Sequence, residues 1–561
     1  MSISRYFSLI LLLPASLLAG GCQDGSTEET ANSFSALYDT SSENGNNVNS
    51  PLGTNSNEVS YWTPEWVFVD AFKSSQEWVS GTAGGAWDDG RTLDIDENGW
   101  IRSLAADQVA RTGMFAVNGR YPAGQYTVLY DGDGTLEYRL GARYNAELSQ
   151  PGRHIIDVDP SRNGISITIS ATNPANPIRN IRVIMPGGVC SNDPYQWCND
   201  DSACTNGAVC ESFVDNYETQ IFHPTFLDRI KRYRAFRFMN WMRTNGSTQQ
   251  DWADRPKITD ARWSTEKGVP VEIMIALANR LHAEPWFTIP HLATDDYIRR
   301  FAETVRDQLS PDLKVYIEHS NEVWNRGFPQ SAYAEQRGLS LGLSTNPNLA
   351  RAYYHSLRSV QIFDIFTSVF AGTERLVRVM GAHSRNYWLS RQLLEFQNAY
   401  QKTDALAIAP YFGFYLGSPS EEQRVQAMSV DDLITELRNV AIPNTVNDIR
   451  AQSDIAREFG VNLVAYEGGQ HLVGAGSTAN NTTINALFDA VNRDPRMADL
   501  YTRYLNAWRD NGGQVFMHYL TASGYGRFGR WGSLEYQDQP AASAPKFRAL
   551  MDFIQNNPQW W

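Results

Sequence analysis

Residues 314–325 read KVYIEHSNEVWN. Val315, Tyr316 and Ile317 form a short β-branched and aromatic run of the kind that makes a buried parallel strand. The polar string Glu318, His319, Ser320, Asn321 and Glu322 follows without a break. Sheets of the α/β class carry their reactive groups at the carboxyl ends of their strands, so an Asn-Glu pair at such a point marks a candidate site. Residues 461–471, VNLVAYEGGQH, repeat the design: an apolar strand delivers one carboxylate, Glu467, at its end. Two strand-end carboxyl groups are the minimum equipment for hydrolysing a glycosidic bond.

Outward from these two stretches, short apolar runs alternate with helical patterns from residue 222 onward, the signature of βα units and a parallel sheet. Strands are expected at 178–185 (IRNIRVIM), 234–238, 285–289, 376–380, 405–409 and 515–519, with the two stretches above as the fourth and seventh. Helices are expected at 226–233, 271–282, 296–309 and 351–370. Eight strands in order predict an α/β fold, a closed (β/α)8 TIM barrel over 172–561. Strand two ends in Arg237, Asn240 and Trp241, strand three at His291, strand five at His383 and strand six at Tyr411. The loop after strand eight holds Tyr525, Arg527, Arg530 and Trp531.

Before the barrel, residues 61–171 break into short alternating runs such as QYTVLY (125–130) and GISITIS (164–170), which predict a β-sandwich-like domain. With no row of spaced tryptophans, a buttress for the catalytic domain is the favoured reading over a glycan-binding module. Residues 94–99 (DIDENG) open like a calcium loop, but Ala105 stands where the closing glutamate belongs, so they read as a turn. Four cysteines in a polar insertion, 190–210, predict two disulfides among Cys190, Cys198, Cys204 and Cys210, with three possible pairings. Their spacings lack the short paired Cys-x-x-Cys of structural zinc, and neither a metal nor a cofactor is called for. This insertion is expected to leave the catalytic end of strand one and border the cleft.

Residues 1–22 have the layout of a secretory signal, with small residues leading to Cys22 as in a bacterial lipobox, although Ala19 stands where leucine is usual. The expectation is a lipid on Cys22, a membrane anchor, and a place in the bacterial cell envelope, at the outer membrane or cell surface, with plain secretion as the rival. Residues 23–60, rich in Ser, Thr, Asn and acids, read as a disordered tether. A net charge of −14 argues against a nucleic-acid partner, since phosphate neutralisation needs clustered Lys and Arg. Aromatic content of 12% exceeds what a core alone usually needs and suits a polysaccharide or oligosaccharide partner, because sugar rings stack on aromatic faces.

The strings RFMNWMRTN (237–245), PWFTIPH (285–291), YIEHSNEVWN (316–325) and YEGGQH (466–471) resemble the retaining glycoside hydrolases of clan A. They are most similar to bacterial secreted glycosidase-like proteins often labelled as cellulose-binding, and the likeness covers residue 178 to the end. It implies Glu322 as general acid and base and Glu467 as nucleophile. It further implies that Asn321 bonds the sugar 2-hydroxyl, that Arg237 keeps the nucleophile ionised and that Tyr411 orients it. Trp531 would lie under the sugar, and Asn240, Trp241, His291 and His383 would complete the substrate contacts. Val323 and Trp324 depart from the clan, in which proline usually follows Asn-Glu. Strand alternation puts Glu318 on the same side as Glu322, and the motif selects Glu322. A retaining β-glycosidase is the leading expectation. The alternative is a non-catalytic carbohydrate-binding surface lipoprotein. No H-E-x-x-H motif supports a metal-dependent hydrolase.

Overall fold

The computed structural model describes residues 47–561; Cys22, the signal-like segment and most of the tether lie outside the described residues. Eight parallel strands close a barrel: Leu52–Asn55, Ala235–Arg237, Glu284–Ile289, Val315–His319, Leu376–Gly381, Ala405–Ile408, Asn462–Ala465 and Gly513–Tyr519. The first strand seals it, pairing on one side with the eighth (Asn55 opposite Tyr519) and on the other with the second (Thr54 opposite Phe236).

This corrects two expectations. Barrel strand one is LGTN at 52–55, inside the stretch read as tether, and Asn47 just before it is 1% exposed, donating to the carbonyls of Tyr233 and Leu281. The stretch at 178–185 instead supplies Arg179–Ile184, an antiparallel partner of Gly124–Asp131 with Val183 opposite Val128. The physical reason is visible in its alternation: Ile181 and Val183 are buried while Arg179 and Arg182 are half-exposed. That is the texture of a sheet with one wet face, not of a barrel strand covered on both sides.

The chain between the first and second barrel strands forms two four-stranded antiparallel sheets. Val79–Thr82, Gln108–Met114, Ile165–Thr172 and Gly134–Leu140 make one; Arg179–Ile184, Gly124–Asp131, Arg153–Val158 and Ala142–Gln150 make the other. One shared core, including Ile165, Ile167 and Ile169 facing Tyr126, Val128, Ile156 and Val183, holds them together. Disulfides Cys190–Cys204 and Cys198–Cys210 then staple a three-stranded sheet, Gly188–Cys190, Asp193–Cys198 and Cys210–Ser212. Because this sheet follows a sandwich strand, it packs on the helix Pro224–Ile230, with Lys231 Nζ 4.6 Å from the Tyr195 ring, and does not border the cleft as expected.

Helices on the outside hold each strand in register. Asp295–Gln308 starts where the Thr294 side chain accepts the Tyr297 N–H, carries Asp295 and Asp296 in its first turn, and buries Tyr297, Ile298, Phe301, Ala302 and Val305 on one face. Phe301 meets Phe287 of strand three edge to face at 5.0 Å, which fixes the approach to strand four. The barrel interior has its own small core of Ala235, Trp286, Tyr316, Val379, Ala405, Ala407, Val464, Tyr466, Val515 and Met517. Its top layer is where polar chemistry begins.

Candidate active site

Strand alternation sends Tyr316 and Glu318 into the barrel, and the same rule would carry Ser320 and Glu322 with them. The chain instead turns. Ser320 (φ 58°) and Glu322 (φ 42°) both sit in the left-handed region, each costing about 1–3 kcal/mol for a residue with a Cβ. The turn is held by Ser320 N–H to Ile289 O (2.8 Å), Asn325 N–H to Glu322 O (2.7 Å) and Gln330 Nε2 to Asn321 O (2.8 Å). Glu318 is thereby left in the floor, 1% exposed, while Glu322 rises to the pocket wall and stays half-buried.

Arg237 is the hub of the floor. Its side chain is fully buried and uses all five N–H groups: Nε and Nη2 on Glu318 (3.0 and 3.1 Å), Nη1 on Glu467 (2.9 Å) and Asn55 (3.3 Å), and Nη2 on Asn321 Oδ1 (2.8 Å). Trp286 Nε1 donates to Glu318 at 2.9 Å, so the third carboxylate is compensated without solvent. Asn321, 2% exposed, donates to Asn245 Oδ1 at 3.0 Å.

The two strand-end glutamates have unlike partners. Glu467 accepts from the Arg237 guanidinium and from the Tyr411 hydroxyl at 3.0 Å. Among the described residues Glu322 accepts only from neutral groups, Tyr466 OH at 3.0 Å and Asn325 Nδ2 at 2.8 Å. Burial pushes Glu467 up to about 7, opposed by Arg237 and reinforced by the charge of Glu322. Burial also raises Glu322, opposed by the hydrogen bonds from Asn325 and Tyr466, and raises Glu318 against the pull of Arg237. One guanidinium therefore serves a cluster of three buried carboxyls, which favours a retained proton on the member without cationic contact.

A pocket of about 250 Å³ opens over this floor, walled by Glu322, Trp324, His383, Tyr411, Phe414 and His471. His383 meets Trp324 edge to face at 4.3 Å, and burial lowers its pKa, leaving a neutral ring. Trp531 stands 5.7 Å from Tyr411, 4.9 Å from His471 and 5.9 Å from Tyr519, completing an aromatic corner. Past Phe414 the groove continues into a hollow of about 470 Å³ that shares Arg385 and Tyr411 with the pocket.

Of the residues read from sequence, Arg237, Asn321, Glu322, Tyr411 and Glu467 form one connected network, and His383 and Trp531 border it. Arg237 lies beneath the carboxylates with no exposed surface, so it holds them in position and does not contact substrate. Asn240 donates to Ser56 O at 2.9 Å and ties down the loop after strand one. Trp241 is a correction: fully buried among Phe68, Phe226 and Phe238, it belongs to the packing outside the barrel, where a large apolar ring is most stable. His291 is another. It is 6% exposed, faces Tyr333 at 5.2 Å and is lowered to about 4 by burial, away from the pocket wall.

Sequence reasoning missed Tyr466, Asn325, Asn55, His471 and Phe414. Tyr466 was findable, since alternation along strand seven places it inside the barrel beside Glu467. Asn325 lies three residues past Glu322 on a tight turn. Asn55 carried no signal once strand one was misplaced.

No protein-family model and no curated protein matches the chain. Among solved structures, the chain is similar to a native Bacteroidetes-affiliated GH5 cellulase linked with a polysaccharide utilization locus, at 11% identity over 59% of this chain and 84% of that one, TM-score 0.38. It is also similar to GH10 from Paenibacillus barcinonensis (12% identity, 60% and 92% covered, TM-score 0.33) and to the β-D-glucuronidase of Dictyoglomus thermophilum (8%, 87% and 97%, TM-score 0.32).

Proposed function

We propose that the protein is a retaining β-glycoside hydrolase acting on an extracellular polysaccharide or oligosaccharide. The observation that carries the reading is the asymmetry between two neighbouring carboxyls, one paired with a guanidinium and the other with neutral donors only. Such environments push two glutamates toward different protonation states, as acid and nucleophile require.

In the first half-reaction Glu322 gives its proton to the glycosidic oxygen as Glu467 attacks the anomeric carbon. The carbon–oxygen bond to the leaving sugar breaks and a glycosyl ester forms on Glu467. In the second, the Glu322 carboxylate takes a proton from water, the hydroxide attacks the same carbon, and Glu467 leaves as the carboxylate. Arg237 and Tyr411 stabilise the Glu467 charge before attack and after release. Asn321 has one amide hydrogen beyond its bond to Asn245 for a sugar hydroxyl, and Trp531 offers a ring face to the sugar.

Reducing-sugar release from a polysaccharide panel tests the reading. Glu467→Ala should abolish release, and Glu322→Ala should lower turnover about 10²–10⁴-fold on substrates with poor leaving groups. Proton NMR should show the retained anomer first; the inverted anomer would remove Glu467 from the nucleophile role. Export and lipid attachment at Cys22 belong to the same proposal, and a Cys22→Ser protein that stays with membranes would count against the anchor.

A further inference from the structure

A second concavity lies where the sandwich meets the barrel. The loop after barrel strand one, the segments around residues 75–78 and 95–99, and the barrel loop 260–267 enclose a crevice of about 510 Å³, the size range of small-ligand sites. Its walls are pinned across the two units: Ala261 N–H donates to Asn98 O (2.7 Å), Trp263 N–H to Lys73 O (2.8 Å), and Ser264 Oγ to Ser75 O.

Trp62 stands at its rim with 51% of its surface exposed. An exposed indole is normally free to rotate, but here Nε1 donates to Glu58 at 2.7 Å, and Glu58 is itself paired with Arg243 of the loop after strand two. The ring face is thus held in place before any ligand arrives, which removes an ordering cost from binding. Tyr61 stands against it edge to face at 4.7 Å. At the inner end, Trp78 and Ser75, 5% and 0% exposed, close the crevice.

Charge narrows the guest. Glu77, Asp96, Glu97, Asp260 and Glu266 line the crevice against Arg262 and Lys267, an acidic balance that repels phosphate, sulfate and uronate groups. Flat aromatic faces with interspersed carboxylate and hydroxyl acceptors suit a neutral pyranose, apolar on its C–H faces and polar around its rim.

We propose that this crevice is a second, non-catalytic glycan site that holds a neutral stretch of the polysaccharide which, on the reading above, the barrel cleaves. The full chain carrying Glu467→Gln, to suspend turnover, is measured in binding isotherms on insoluble cellulose, xylan and mannan. Trp62→Ala in that background should weaken retention on the polymer that binds by about tenfold or more, while Trp62→Phe, which keeps a flat ring, should stay within about threefold. In the otherwise native chain, Trp62→Ala should leave the melting temperature and turnover of a small aryl glycoside unchanged within about twofold. Equal retention by Trp62→Ala, no retention of any polymer, or a parallel loss of aryl-glycoside turnover would overturn the proposal. Trp62-dependent retention with no sugar release from any substrate would instead uphold the crevice and sink the catalytic reading.

Discussion

Arg237 ties the site together, because its five bonds gather Asn55, Glu318, Asn321 and Glu467 from four places along the chain. Lysine has one point charge and three donors where the planar fork needs five. Arg237→Lys should therefore lower kcat at least about 100-fold with a smaller change in KM, and cost about 3–5 kcal/mol of stability by leaving buried carboxyls unpaired, read by steady-state kinetics and denaturant melts. Tyr466→Phe is a milder probe. The Tyr466 hydroxyl favours ionised Glu322, so its loss raises the Glu322 pKa further, and the alkaline limb of the kcat/KM profile should move to higher pH. A limb that stays put would mean that Glu322 is not the acid. The identities of this network were largely readable from strand-end positions; the preference for Glu322 over Glu318 came from the motif and not from alternation, which two left-handed residues override.

Elements show where stability is tied to pH. Glu65, in the segment after barrel strand one, is 6% exposed; it accepts from the Thr521 hydroxyl, and burial pushes it up to about 7. An unfolded glutamate titrates near 4.3, so between about pH 4.5 and 7 the folded chain holds a proton that the unfolded chain has lost. Stability conferred by that proton is present at the acid end and lost as pH rises through 7. Melting temperature should fall from pH 5 to pH 8, and Glu65→Gln should flatten part of the fall. The stapled sheet at 188–212 gives a second expectation at this scale. Its disulfides close intervals of 14 and 12 residues, so replacing both Cys198 and Cys210 by Ser should cost about 2–3 kcal/mol, seen in calorimetry.

At the scale of the whole molecule, the barrel is closed by a strand that precedes the sandwich in sequence, so the sandwich is an insertion and the barrel is discontinuous. A chain beginning at residue 178 keeps both glutamates and seven of the eight strands, yet it leaves the edges of Ala235–Arg237 and Gly513–Tyr519 open. It should be insoluble or lack a cooperative melt, whereas restoring residues 47–177 should recover one. From the sequence alone came the class of fold, seven of the barrel strands and the residue types offered at their ends, because apolar periodicity and strand-end position are written within windows of about ten residues. Tertiary structure decided that LGTN closes the barrel, that IRNIRVIM lies in the sandwich, that Trp241 and His291 turn away, and that one arginine serves the carboxyl cluster. Those outcomes depend on partners up to several hundred residues apart, and a short strand with a single large apolar side chain carries no local mark of the neighbours that will bury it.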